Sequence, residues 1–125
     1  MAAARRRKLT ISIIMDVMIK NVKGSAKEDD NISWIEAYSR IHTVPTYCIH
    51  CKKECNDLQG AHVYKVGNGT KQYIVPLCPE CNNPCNDKEM GVPETYLVPK
   101  ESVKAKWNEM KKKALDDLLK RMLGK

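Results

Sequence analysis

Six cysteines lie in two short segments of the same form, and their thiolates suit metal binding. The segments are Cys48-Ile-His-Cys51-Lys-Lys-Glu-Cys55 and Cys78-Pro-Glu-Cys81-Asn-Asn-Pro-Cys85. A Cys-x2-Cys turn lets two thiolates approach one ion, and two such turns complete the tetrahedral sulfur shell that zinc prefers. We therefore predict a structural Zn2+ site whose ligands are Cys48, Cys51, Cys78 and Cys81.

Two other interpretations of these cysteines stay open. Disulfides would form if the chain were exported, and an iron–sulfur cluster would use the same thiolates, although the spacing differs from common ferredoxin runs. Cys55 and Cys85 follow the two turns at equal offsets and are left over. They are either small buried thiols or members of a disulfide, a ligand swap or a second metal site.

A β-hairpin is predicted between the two cysteine turns. Twenty-six residues separate Cys51 from Cys78, and residues 61–77 contain two strand-like runs around Gly67-Asn68-Gly69. An Asn-Gly pair between such runs is a strong hairpin signal. The hairpin would place the second cysteine turn directly after its second strand.

Helices are predicted on both sides of this central segment. Apolar residues recur at helical spacing over residues 11–22, where a strand is the alternative, and Ser33 with Glu36 forms a capping box for a helix to Ile41. After Pro99, apolar residues spaced three or four apart from Val103 to Met122 predict one long helix. The expected fold class is therefore α+β.

The central segment resembles the HNH endonuclease family in its zinc-braced treble-clef form. The similarity covers roughly residues 47–83 and rests on Cys-x2-Cys, then Gly60-Ala61-His62-Val63, then Tyr-Ile-Val-Pro-Leu-Cys78-Pro-Glu-Cys81-Asn82. Small uncharacterised bacterial and phage proteins look similar in the same signature. The resemblance implies a ββα unit in which His62 is the general base and Asn82 stands at a helix start. It also implies a catalytic divalent ion such as Mg2+ besides the zinc.

Two positions depart from the HNH pattern. Ala61 stands where the family has an acidic residue, and Tyr73 stands at about the position of its middle asparagine. Without a carboxylate, little neutralises a divalent ion or the charge that develops on a phosphate. His62 therefore has three interpretations: a packed strand residue, a nucleic-acid contact or a catalytic base.

The positive charge lies in the flanks. The chain has 125 residues with 22 Lys and Arg against 15 Asp and Glu, and the surplus is +3 over residues 1–47, −1 over 48–98 and +5 over 99–125. Basic flanks suit phosphates. Charge alone does not choose among nucleic acid, an anionic membrane and an acidic protein partner, and the lysines of the last helix also fit a solvated helix surface. For nucleic acid, we expect DNA or RNA to bind at Arg5, Arg6, Arg7, Lys8, Lys111, Lys112 and Lys113.

The chain length predicts one compact domain and argues against a two-domain enzyme. Its parts are a basic segment with two helices (1–47), the zinc-binding treble clef (48–98) and a basic helix (99–125). No run is long enough to span a bilayer, and Asp16 interrupts the apolar start, which argues against a secretory signal. We expect a soluble intracellular protein, with organellar targeting left open.

The sequence fits three functions. The first is a zinc-binding module that holds nucleic acid through its basic flanks without catalysis. The second is a metal-dependent HNH-type endonuclease that uses His62 and Asn82. The third is a zinc-stabilised assembly subunit whose helices pair with a protein partner or a second copy.

Overall fold

The computed structural model describes residues 16–23 and 31–124. In these residues, five strands form one antiparallel sheet that joins segments far apart in the sequence. The strands follow each other across the sheet in the order β4-β1-β2-β3-β5. They are β1 (Asp16–Asn21), β2 (Gln59–Lys65), β3 (Gln72–Leu77), β4 (Met90–Pro93) and β5 (Val98–Pro99).

The predicted central hairpin is confirmed as β2 and β3. Their ladder runs from Gln59 opposite Leu77 to Tyr64 opposite Gln72. Gly67 and Gly69 have φ values of 76° and 83°, which side chains with a Cβ rarely adopt. The Gly-Asn-Gly sequence thus lets the chain reverse direction between the two strands.

The helix predicted over residues 11–22 is wrong for the described part, where the strand alternative holds. Asp16–Asn21 forms β1, which pairs with β2 on one side and β4 on the other. Partners on both edges satisfy its backbone groups without a helix, and its β-branched residues suit a strand. Residues 11–15 of the predicted helix lie outside the described residues.

The described part of the chain contains two α-helices, one shorter and one longer than a typical helix. Helix α1 (Trp34–Ser39) ends before the predicted Ile41, and the Ser33 side chain makes no capping hydrogen bond. Helix α2 (Lys100–Leu123) has 24 residues and confirms the predicted C-terminal helix. Residues 16–23 and 31–47 contain one helix, so the expected pair of N-terminal helices is not found there.

The helix that a ββα unit requires after the second cysteine turn is absent. Residues 78–89 form turns and irregular backbone, and β4 is the next regular element. Asn82 therefore does not stand at a helix start. The observed architecture is α+β with a four-cysteine cluster, and the treble-clef assignment made from the sequence is not reproduced at this point.

The sheet has a different core on each face. One face carries Ala61, Val63, Val75 and Leu77, which pack with the cysteine turns and with β4. The other face carries Ile74, which packs with α1 and the start of α2. Because side chains alternate along a strand, neighbouring residues of β2 and β3 serve opposite faces.

Among the residues that the structure describes, helix α2 packs on the rest of the domain only near its start. Val103 is buried in the core between the sheet and α1, which we call the helical core, and Trp107 and Met110 are partly buried against it. Residues 111–124 are exposed. In the described ranges, no helix combines the length and apolar character that crossing a membrane requires.

Candidate metal centre

The first cysteine turn is the tip of a small antiparallel ribbon. The N–H of Cys48 donates to the carbonyl of Lys53 (2.9 Å), the N–H of Cys55 donates to Thr46 (3.0 Å), and Tyr47 bridges Glu54. At the tip, Lys52 has φ 67°, a left-handed conformation that is costly for a residue with a Cβ. This turn brings Cys48 and Cys51 to one side.

The second cysteine turn follows β3 directly. The N–H of Asn82 donates to the carbonyl of Cys78 at 2.9 Å and closes the turn. The N–H of Ile49 donates to the carbonyl of Pro76 at 3.4 Å, which ties the first turn to the end of β3. The exposed ion pair between Lys53 and Glu80 (3.1 Å) also joins the two turns, although exposed pairs contribute little stability.

Cys48, Cys51, Cys78 and Cys81 converge as the spacing predicts. Their sulfur atoms all lie within 4.8 Å of one another, and the Sγ atoms of Cys51 and Cys78 are 3.8 Å apart. A tetrahedral ion with Zn–S bonds of about 2.3 Å separates its sulfurs by about 3.8 Å. The four cysteines can therefore hold a metal ion, and the donor set is the one that structural zinc uses.

The environment lowers the pKa of Cys48 and raises that of Cys81. Burial raises the pKa of Cys48, but hydrogen bonds from backbone groups, chiefly those of Cys78 and Cys51, outweigh it and lower the pKa to about 7. Burial and the neighbouring thiols raise the pKa of Cys81. Four thiolates this close repel one another, so a cation is needed to ionise the whole set, and its binding releases protons.

Cys55 and Cys85 lie outside the cluster. The thiol of Cys55 donates to Oδ1 of Asp57 at 2.9 Å, and this hydrogen bond raises the pKa of Cys55. Cys85 is exposed, and both residues are free thiols. Their equal offsets in the sequence do not make them ligands of the cluster.

His62 and Asn82 contact different elements. His62 is 7% exposed, and its ring meets the Trp34 ring edge-on at 4.5 Å on the helical face of the sheet. Nδ2 of Asn82 donates to Oε1 of Gln59 at 2.8 Å, beside the second cysteine turn. The four-cysteine cluster packs on the opposite face from His62.

The predicted basic contact residues divide between described and undescribed regions. Lys111, Lys112 and Lys113 are exposed on α2, beyond the last residue that packs on the domain. The second cluster, Arg5 to Lys8, lies outside the described residues.

Two hydrogen bonds that the sequence does not signal join the cysteine turns to strands of the sheet. Nδ1 of His50 lies 3.1 Å from the carbonyl oxygen of Gly91 in β4. Nδ2 of Asn21 in β1 donates to the carbonyl of Cys81 at 2.9 Å. Both contacts join residues more than 40 positions apart, and no local spacing pattern signals them.

Comparison with known proteins places the chain in no family. No family model matches the sequence, and no curated protein or solved structure matches it significantly.

Proposed function

We propose that this chain is a zinc-stabilised binding module in which the metal is structural and α2 is the binding element. The convergence of four sulfur atoms within 4.8 Å supports the metal part of this proposal. Structural zinc sites are closed by four protein ligands, whereas catalytic sites keep one position for water or substrate. Four cysteine ligands leave no such position.

Elemental analysis of the purified protein tests the zinc claim. We expect one zinc per chain, and we expect Cys78→Ser to lose the metal while Cys85→Ser retains it. Equal loss in both variants, or a metal-free wild-type protein that is fully folded, would overturn the assignment.

For the binding partner we propose nucleic acid, contacted through phosphates by the basic flanks. Lys111, Lys112 and Lys113 support this because they are exposed on a helix that extends beyond the domain. The half-helix they begin is about 20 Å long, at 1.5 Å per residue. Phosphate contacts of this kind give binding that is weakly sequence-specific and falls steeply with salt.

Fluorescence anisotropy with labelled duplex DNA and a labelled RNA hairpin measures this binding. Changing Lys111, Lys112 and Lys113 together to Gln should reduce the slope of log K against log salt by roughly 2 to 3. The double variant Lys71→Gln/Lys88→Gln removes exposed lysines elsewhere and is the control. An unchanged slope in the triple variant would exclude this helix as the phosphate contact.

We propose that the module works without catalysis. His62 packs against Trp34, and no helix begins at Asn82. A plasmid nicking assay with Mg2+ or Mn2+ should therefore show no cleavage. Cleavage that His62→Ala abolishes would instead support the HNH-type nuclease.

One observation favours a second candidate function, self-association through α2. Leu115, Leu118, Leu119 and Met122 follow the i, i+3, i+4, i+7 pattern and are between 43% and 67% exposed. This is the spacing of a two-helix seam, which a second copy of the same helix would fill. Four side chains form a seam far smaller than the roughly 800 Å² per partner of a standard interface, so the dimer would be weak.

Salt separates the two candidates. Self-pairing brings two basic helices together, so screening by salt should strengthen the dimer, whereas salt weakens phosphate binding. Light scattering across a concentration series at 0.1 M and 0.5 M NaCl measures the association. Leu118→Lys should give a monomer under both conditions, and a monomeric wild-type protein at every concentration would exclude self-association.

A further inference from the structure

Asn21, the last residue of β1, lies beside the second cysteine turn. Its Nδ2 is 2.9 Å from the carbonyl oxygen of Cys81, 3.3 Å from that of Asn86 and 3.5 Å from that of Asn83. The Cys81 carbonyl also accepts a hydrogen bond from Nδ2 of Asn86 at 2.9 Å. One half-buried amide thus meets three carbonyl groups of the segment that carries a metal ligand.

Turn hydrogen bonds, not a helix or a strand ladder, shape this segment; examples run from the N–H of Asn82 to the Cys78 carbonyl and from the N–H of Asn86 to the Asn83 carbonyl (both 2.9 Å). Residues 78–89 contain neither helix nor strand, so their carbonyl groups have no ladder partners. Asn21 is itself held in place because it pairs with Val63 in the sheet. The Asn21 amide therefore connects β1, which is held in the sheet, to the irregular loop that carries Cys81.

We propose that Asn21 is a positioning residue of the metal centre, which holds the Cys81 backbone so that its sulfur enters the zinc shell. The inference rests on the proposed structural zinc. Groups that orient metal ligands without binding the metal themselves typically contribute 10- to 100-fold in metal affinity. If Asn21 acts in this way, the zinc affinity of the centre depends on the pairing of β1 with the sheet.

The sharpest variant is Asn21→Asp, which keeps the size of the side chain and replaces the donating NH2 with an oxygen. That oxygen would face the three carbonyl oxygens, so the hydrogen bonds are lost. The matched control is Asn68→Asp, which makes the same chemical change in the exposed turn between β2 and β3. Zinc affinity is measured by competition with a chelator, and zinc release is followed after excess chelator is added.

We expect Asn21→Asp to bind zinc about 10- to 100-fold more weakly than wild type and to release it faster. At saturating zinc its far-UV circular dichroism should match wild type. The absorption band of the Co2+-substituted protein reports the four-thiolate geometry. In the variant, this band should reach its full intensity at higher Co2+ concentrations than in wild type. Asn68→Asp should behave like wild type in every measurement.

The outcomes separate the inference from the function on which it rests. If wild type binds no zinc, the structural zinc proposal fails. If wild type binds zinc and Asn21→Asp binds it as tightly as Asn68→Asp does, the positioning role is refuted. If Asn21→Asp does not fold at saturating zinc, Asn21→Ser removes the amide without adding charge, and wild-type affinity in that variant also refutes the role.

Discussion

Gly60 lies in β2 where α1 crosses the sheet, and its replacement by alanine tests how closely the helix packs. A Cβ at this position would lie 2.7 Å from Cβ of Trp34, 2.8 Å from the backbone N of Ile35 and 2.9 Å from the backbone C of Trp34. Carbon atoms in favourable contact are about 3.5 to 4.0 Å apart. Helix α1 would have to move away from β2 by roughly 0.5 to 1 Å.

The cost follows from two opposing effects. Overpacking of this kind costs about 1 to 3 kcal/mol, because the atoms in the way belong to the helix backbone or lie next to it. Replacing glycine restricts the unfolded chain, which offsets about 0.4 to 1 kcal/mol. The net loss is about 1 to 2 kcal/mol, equivalent to a fall in Tm of roughly 5 to 10 °C for a domain of this size.

Thermal unfolding followed by circular dichroism measures this loss, and Gly91→Ala provides the control. A Cβ at Gly91 would have Sδ of Met18 as its nearest neighbour, at an ordinary 3.6 Å. Gly91→Ala should leave Tm unchanged or raise it slightly. Equal Tm values for the two variants would refute the close packing of α1 on β2.

Three further predictions concern the centre and the helical core. Cys48→Ser should lose zinc and unfold the cysteine turns, because the binding energy of a structural zinc is folding energy, whereas Cys85→Ser should stay within about 0.5 kcal/mol of wild type in urea unfolding. Lys52→Gly should raise the free energy of unfolding of the zinc-loaded protein by up to about 1 kcal/mol, since it relieves the left-handed conformation at φ 67°; a loss of stability would contradict this. Tyr38→Phe removes the hydrogen bond from the Tyr38 hydroxyl to the carbonyl of Tyr96 (2.6 Å) and should cost about 1 kcal/mol at pH 7. Burial also raises the pKa of Tyr38, so its share of stability is complete below pH 10, the ordinary tyrosine pKa, and is lost as pH rises above it; stability of the Phe variant should fall less between pH 9 and pH 11.

The parts predicted from the sequence are those with local signals. The Cys-x2-Cys turns, the Gly-Asn-Gly reversal between β2 and β3, and the apolar spacing of α2 each lie within a short window of sequence. Residues close together in the sequence determine the geometry of each of these features. The structure contains the two cysteine turns, the reversal between β2 and β3 and the long helix α2. The convergence of the four cysteines that can hold a metal ion was therefore predictable.

The structural features that the sequence did not predict depend on contacts with residues distant in the sequence. The apolar residues of β1 fit a helix as well as a strand, and only pairing with β2 and β4, more than 40 residues away, selects the strand. Strand β4 has four residues, too few for a clear pattern. The contact of Asn21 with the second cysteine turn has no local signal because it joins Asn21 to a carbonyl 60 residues further along the chain.

The two faces of the sheet bury different kinds of side chain. Trp34 and Tyr38 pack on the face that carries the helices, whereas the face that carries the cysteine cluster buries aliphatic side chains such as Ile19, Leu77 and Met90 together with the thiols. A structural zinc would act on the second of these faces, because it joins the two cysteine turns directly. Helix α2 packs on the other face of the sheet. Zinc loss should therefore weaken nucleic-acid binding by α2 only if β2 and β3, which both faces share, also unfold. A titration that compares zinc removal, sheet content and nucleic-acid affinity in the same sample tests this, and loss of affinity before loss of sheet would contradict it.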